Sequence, residues 1–245
     1  MKKLLLFLLS LFAVILSAQT PTANEILAEV DKNMISTTAI SSTRMVVHGR
    51  RASRTVGSVN YSEGNSKFYS EYTSPPREKG TKMLKLDDDL WIYDPNSDRS
   101  VQISGNMLKQ SVMGSDLSYE DFMEESTLQE DYTASILKEA TINGRACWVL
   151  NLTAKKADVA YHKRIINVDK QRYVSLSEEW YAKSGKLLKT IKSSDVQKIG
   201  NRWYPRKIEF KDKLKDGKGT EYYIDTIEFD TPIPKHIFTK ASLKK

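Results

Sequence analysis

The sequence comprises 245 residues with a formal net charge of +7, 40% hydrophobic residues and a single cysteine. That length suits one large β domain or two small ones, and a lone Cys147 excludes an internal disulfide. The excess positive charge is modest and interleaved with acids, which argues against a nucleic-acid-binding protein.

The chain opens with Lys2 and Lys3, an apolar run over 4–16 broken only by Ser10, and the small residues Ser17 and Ala18. This pattern predicts a cleaved secretory signal, residues 1–18, too short to span a bilayer. Without Lys2 and Lys3 the formal charge falls from +7 to +5. No cysteine lies near the cleavage point, so a soluble periplasmic protein without a lipid anchor is expected, with residues 19–245 as a single domain.

Thr22-Ala-Asn-Glu25 reads as a capping box, a hydroxyl at the helix start and a carboxylate three residues later. Ile26, Leu27, Val30 and Met34 follow at helical spacing, which predicts an amphipathic helix over 22–36. Strand signals then dominate, among them TRMVVHGR, SKFYSEYTS, TKMLKLD, DLWIYDP and RSVQIS, punctuated by Gly57, Gly64 and Pro75-Pro76. From residue 134 to 229 the pattern resumes in segments such as RACWVLNLTA, RYVSLSEEWYA and GTEYYIDTIEF, joined by tight turns at Asn143-Gly144, Gly185, Gly200 and Gly217. About ten strands in one meander would be expected to curl. Cys147 sits in an apolar strand and reads as a small buried hydrophobe.

Only residues 104–130 leave this pattern. Met107, Leu108, Ser111 and Val112 share a helical face that ends at Gly114, and Ser118-Tyr-Glu-Asp121 resembles a second capping box. Ser126-Thr-Leu-Gln129 predicts a third short helix. Asp116, Glu120 and Asp121 here raise the alternative of an envelope hydrolase using a carboxylate pair. Against it, His48, His162 and His236 are widely spaced, no calcium-loop or nucleophile-elbow pattern occurs, and acids at helix starts offset the macrodipole. No catalytic, metal or cofactor residues are therefore expected. KDKLKDGKG reads as a hairpin tip facing water.

The stretches PPREKGTKML, DLWIYDPNSDRSVQIS, QSVMGSDLSYEDF, YVSLSEEWYAKSGKLLK and IPKHIFTKASL together resemble the LolA-like outer-membrane lipoprotein-sorting family, as a divergent branch. The LW-x-Y-x-P and MG-x-D-x-SYED elements carry most of the likeness. It implies an α+β fold: a curled antiparallel sheet forming an incomplete β-barrel with a helical lid. It further implies a non-enzymatic carrier of lipoprotein acyl chains or other lipids, working between an inner-membrane exporter and an outer-membrane acceptor, most simply as a monomer. The apolar residues expected in cavity and lid are Leu84, Leu90, Trp91, Tyr93, Met107, Leu108, Met113, Leu117, Tyr119, Phe122 and Trp148. The competing expectation is an envelope interaction module with a filled interior.

Overall fold

The computed structural model describes residues 20–49, 51–123, 127–157 and 159–244. The expected signal over 1–18 lies outside them. Helix α1 (Ala23–Met34) starts where the capping box places it. The Thr22 hydroxyl accepts from the Glu25 amide at 3.3 Å and the Glu25 carboxylate accepts from the Thr22 amide at 2.7 Å. Its apolar stripe buries Ile26, Leu27 and Val30. Asp31 accepts from the Leu128 and Gln129 amides, each at 3.2 Å, and so ties this helix to the short α2 (Leu128–Asp131). That helix is capped by Thr127 and Glu130, one residue later than the sequence pattern suggests.

The remaining regular structure is one antiparallel sheet of thirteen strands. These are β1 (Thr38–His48), β2 (Ser53–Glu63), β3 (Lys67–Ser74), β4 (Lys82–Leu86), β5 (Asp89–Asp94), β6 (Arg99–Ile103) and β7 (Tyr132–Ile142). They continue with β8 (Arg145–Ala154), β9 (Lys163–Asp169), β10 (Ser175–Tyr181), β11 (Leu187–Ile199), β12 (Arg202–Asp212) and β13 (Gly219–Phe229). The spatial order runs β6-β5-β4-β3-β2-β1-β13-β12-β11-β10-β9-β8-β7, so β1 and β13 are neighbours and the edges β6 and β7 do not meet. The sheet is curled but unclosed.

Thirteen strands replace the expected ten or so. Strand β2 is the clearest addition, because Gly57 lies inside it at a bulge opposite Ser74 and does not end it. A Cβ on Gly57 would stand 2.6 Å from the Ser74 hydroxyl, so only glycine permits this approach. Asn143 and Gly144 both take positive φ, 49° and 76°, as a two-residue hairpin turn requires.

Cross-strand partners define the two faces of the sheet. One face carries Trp148, Ile166, Trp180, Ile191, Phe210, Tyr222, Met45, Val56, Tyr72, Met83 and Leu90, linked by register from β8 to β5. Helix α1 and residues 105–123 both pack on it, which makes it the inner face. The outer face of β3–β5 is covered by the chain after β13, with Phe238 and Leu243 buried against Tyr69, Leu84 and Trp91.

Candidate functional site

The inner face has two covers. Over β8 and β9, Ile26, Leu27 and Val30 join Trp148, Leu150, Leu152, Ile166 and Val168 in a buried cluster. Over β1–β5, residues 105–123 supply the second cover as three 3-10 turns, Gly105–Lys109, Val112–Gly114 and Tyr119–Phe122. The expected α-helical face over 107–112 is not formed. Met113 has φ 48° and Gly114 φ 64°, and this left-handed backbone breaks the segment into turns.

Between the covers the inner face is hollow. One space of about 400 Å³ is lined by Met34, Ile35, Phe68, Phe122, Tyr204, Ile208, Tyr222, Ile224, Ile227 and Phe229, among others. A second, of about 340 Å³, runs towards Arg164, Trp180, Ile191, Pro205 and Phe210. Met34, Ile35, Asn65, Asp121 and Ile208 line both, so the two form one continuous groove. Its volume falls in the ordinary range for small-molecule sites, about 300–1,000 Å³.

The groove mixes apolar side chains with hydroxyls and amides, and Lys67, Asp121, Asp31, Arg164 and Glu178 also reach its lining. Thr43 and Ser58 share a hydrogen bond of 2.9 Å, Ser58 donates to the Asn60 carbonyl at 3.1 Å, and the Asn60 amide donates to Thr43 at 3.1 Å. Burial pushes the Tyr204 hydroxyl up to about 12 and raises that of Tyr222 as well. Both stay neutral at physiological pH, so this part of the groove offers hydrogen bonds without charge.

The acids of the mid-chain segment are clasps. Asp121 accepts from the Ser118 amide at 2.8 Å and the Tyr161 hydroxyl at 2.7 Å, and it forms an ion pair with Lys189 of β11. Both charged side chains are only 5% exposed. Tyr161 is raised far above its ordinary range, first by burial and then by the Asp121 carboxylate. Asp116 accepts from the Asp212 amide at 2.9 Å and the Thr220 hydroxyl at 2.8 Å, with Lys211 3.6 Å away. Its role is therefore to bolt the segment to the β12–β13 hairpin. The expectation that its charge offsets a helix dipole is corrected, because no helix begins there. Asp121 does close the predicted box at Ser118, and Glu120 lies in the first turn after that cap. Among the described residues no group of His, Cys, Asp and Glu could hold a metal.

The apolar residues named from the sequence separate into three places. Leu90, Met107, Leu108, Tyr119 and Phe122 gather with Met83 and Ile103 beneath the mid-chain cover. Leu117 and Met113 join Met45, Val56 and Tyr72 beside them, and Phe122 bridges both groups. Of all eleven, Phe122 is the one that lines the groove. Leu84, Trp91 and Tyr93 lie instead on the outer face under the C-terminal chain, since their strand positions alternate with Met83, Leu90 and Ile92. Trp148 packs beneath α1, ring to ring with Tyr173 at 5.6 Å. The sequence reading missed Ile208, Tyr222 and Arg164. The Arg164 guanidinium lies 4.3 Å from the Trp180 ring and 4.9 Å from that of Tyr132, at the groove's far end. Alternation along β9, β12 and β13 marks these positions as sharing a face but does not say which face is inner.

A family model described as an uncharacterized protein matches residues 64–245. No curated protein matches the chain. Among solved structures, a putative outer membrane lipoprotein-sorting protein domain from Vibrio parahaemolyticus is 25% identical, with a TM-score of 0.79 over 91% of this chain and 98% of that one. A DUF1329 family protein from Desulfovibrio piger is 23% identical, with a TM-score of 0.82 over 90% and 97%. A LolA superfamily protein from Nitrosomonas europaea is 24% identical, with a TM-score of 0.74 over 91% and 100%. No helix among the described residues is long and apolar enough to cross a membrane.

Proposed function

The chain belongs to the uncharacterized family whose model it matches, and from its likeness to LolA-like lipoprotein-sorting structures we propose that it is a non-catalytic periplasmic carrier. In this reading the groove holds acyl chains of lipoproteins or of other lipids during transfer to the outer membrane. An inner-membrane exporter would load it and an outer-membrane acceptor would unload it. The observation that carries the reading is the continuous groove left between α1 and the 105–123 cover, with Phe122 at its edge.

The physical account is simple. An acyl chain entering the groove leaves water at a gain of about 0.8 kcal/mol per methylene. The neutral Tyr204 hydroxyl in the groove suits the ester or amide at the head of such a chain, whose carbonyls need donors once buried. Because binding grows with chain length, release needs the 105–123 cover to move or a more apolar acceptor to compete. The sequence has no nucleotide-binding motif, so the energy for loading would come from the partner.

Native mass spectrometry of protein purified from a cell envelope tests the proposal. Co-purified lipid is the expected result. Protein that emerges free of lipid, and that also fails to take up added lipopeptide or fatty acid, would favour an interaction module instead.

A further inference from the structure

The antiparallel order of the sheet sorts its turns into two ends. From the pairs His48↔Gly219, Gly57↔Ser74, Lys189↔Asp212, Tyr181↔Leu187 and Thr153↔Lys163, the turns over 49–52, 75–81, 155–162, 182–186 and 213–218 share one end. The 95–98 turn joins them through Lys82↔Tyr93. At this end Arg51, Lys79, Lys183, Lys186, Lys213 and Lys218 are exposed and form no ion pair among the described residues. The acids on these turns are Glu78, Asp98, Asp158 and Asp216. Glu78 already faces Arg54 at 3.5 Å, and Asp98 accepts from the Tyr93 hydroxyl. The turns at the other end, over 64–66, 87–88, 143–144, 170–174 and 200–201, carry Lys170 and Arg172 against Asp87 and Asp88. Positive charge on the turns is therefore concentrated at one end.

That end also carries an apolar tip. Leu214 is 60% exposed, more than any other large hydrophobic residue described, and it stands between Lys213 and Lys215 at the β12–β13 turn. Beside it on the outer face is a hollow of about 480 Å³ whose lining includes Lys192, Lys211, Lys213 and Lys218 together with Glu209 and Glu221. The tip is coupled to the mid-chain cover. Lys215 donates to the Ser115 carbonyl at 2.6 Å and to the Ser111 hydroxyl, and Asp116 accepts from the Asp212 amide.

We propose that this basic end is a docking surface for an anionic phospholipid bilayer, with Leu214 inserting among the headgroups. A bilayer is the occupant that fits both features at once. Unpaired lysines spread over several separate turns match a broad plane of negative charge, and an exposed leucine at the outermost turn gains only where apolar surface receives it. The inference goes beyond the carrier reading, which concerns the groove, and it stands or falls on surface binding alone.

The test is vesicle flotation of the full chain with mixed phosphatidylglycerol–phosphatidylcholine vesicles, against pure phosphatidylcholine. Residues 4–16 are themselves apolar, so the readout is the difference between variants. Lys183→Gln/Lys213→Gln/Lys218→Gln is expected to weaken binding to the anionic vesicles by roughly fivefold per lysine, on the order of a hundredfold together. Leu214→Ser should weaken it by about tenfold or more. Lys198→Gln, an exposed lysine at the other end of β11, should bind as the unmodified chain does. Added salt should erase the lysine effect and spare that of Leu214. Equal binding by the triple variant and the unmodified chain would overturn the proposal. So would equal binding to neutral vesicles, or capture of an acidic protein by this end with no flotation.

Discussion

Helix α1 reaches the inner face through Ile26, Leu27 and Val30, each at most 3% exposed, and through the apolar side chains of β8 and β9. Residues 105–123 reach the same face differently. Their apolar side chains are mostly half-buried, and their fixed points are Asp116, Asp121, Lys189 and Lys215. A cover held by contact area yields only when the core yields, because dispersion and burial are spread over many atoms. One held by a few directional bonds can be released by changing a single group. The same sheet thus carries one cover held mainly by contact area and one held largely by directional bonds, and the groove lies between them.

Asp121→Asn is the strongest way to break this contrast. It leaves the Lys189 ammonium buried against a neutral amide, and breaking one side of a buried pair costs about 3–5 kcal/mol. Hydrogen exchange should show 105–123 opening while β8 and β9 keep their protection. Matching losses in both regions would mean that the covers are one cooperative unit.

Leu27→Ala is the converse. A fully buried leucine cut to alanine costs about 2–5 kcal/mol, and here the loss should appear as a lower urea midpoint for the whole protein. An unchanged midpoint would contradict the core role given to α1.

Asp116→Asn should cost less, about 1–3 kcal/mol, because the amide keeps one acceptor but cannot serve both the Asp212 amide and the Thr220 hydroxyl as the carboxylate does. The expected sign is faster exchange of the amides near 111–118 with unchanged circular dichroism. A global loss of structure would place Asp116 in the core instead.

The smallest effect concerns pH. Burial alone would push the Asp169 carboxyl up, but Arg145, held at 2.7 and 3.0 Å, and the Gln171 and Arg172 amides outweigh it and hold the group below the usual carboxylate range. A depressed folded value gives stability that is complete above the ordinary aspartate range and lost as pH falls through the folded value. Asp169→Asn should therefore flatten the acid limb of the stability curve. An acid limb as steep as that of the unmodified chain would assign it to other carboxylates.

How far the sequence could be read depended on the range of each interaction. The α1 cap involves residues three apart, and Thr22 and Glu25 announce it. Strand alternation is equally local, and most strands stand where it puts them. Gly57 misled because a glycine that ends a strand and one that admits a close neighbour look alike in one dimension. The faces of β4 and β5 were legible as two sets, Met83 with Leu90 and Leu84 with Trp91. Which set looks inward depends on Phe238 and Leu243 returning over the other, some 150 residues later. The clasps failed to show for the same reason, since Asp121 meets Lys189 and Asp116 meets Thr220 only through the curl of the sheet.

The central claim is that acyl chains lie on the inner face, between the two covers. A fatty acid carrying a photoactivatable group at its methyl end, crosslinked in solution and mapped by peptide mass spectrometry, tests it directly. The account expects label on the peptides containing Phe122, Tyr204 to Ile208, and Tyr222, and loss of that label in Phe122→Asp. Label confined to the outer face, at Trp91, Tyr93 or Phe238, or no label at all on a folded chain, would contradict it.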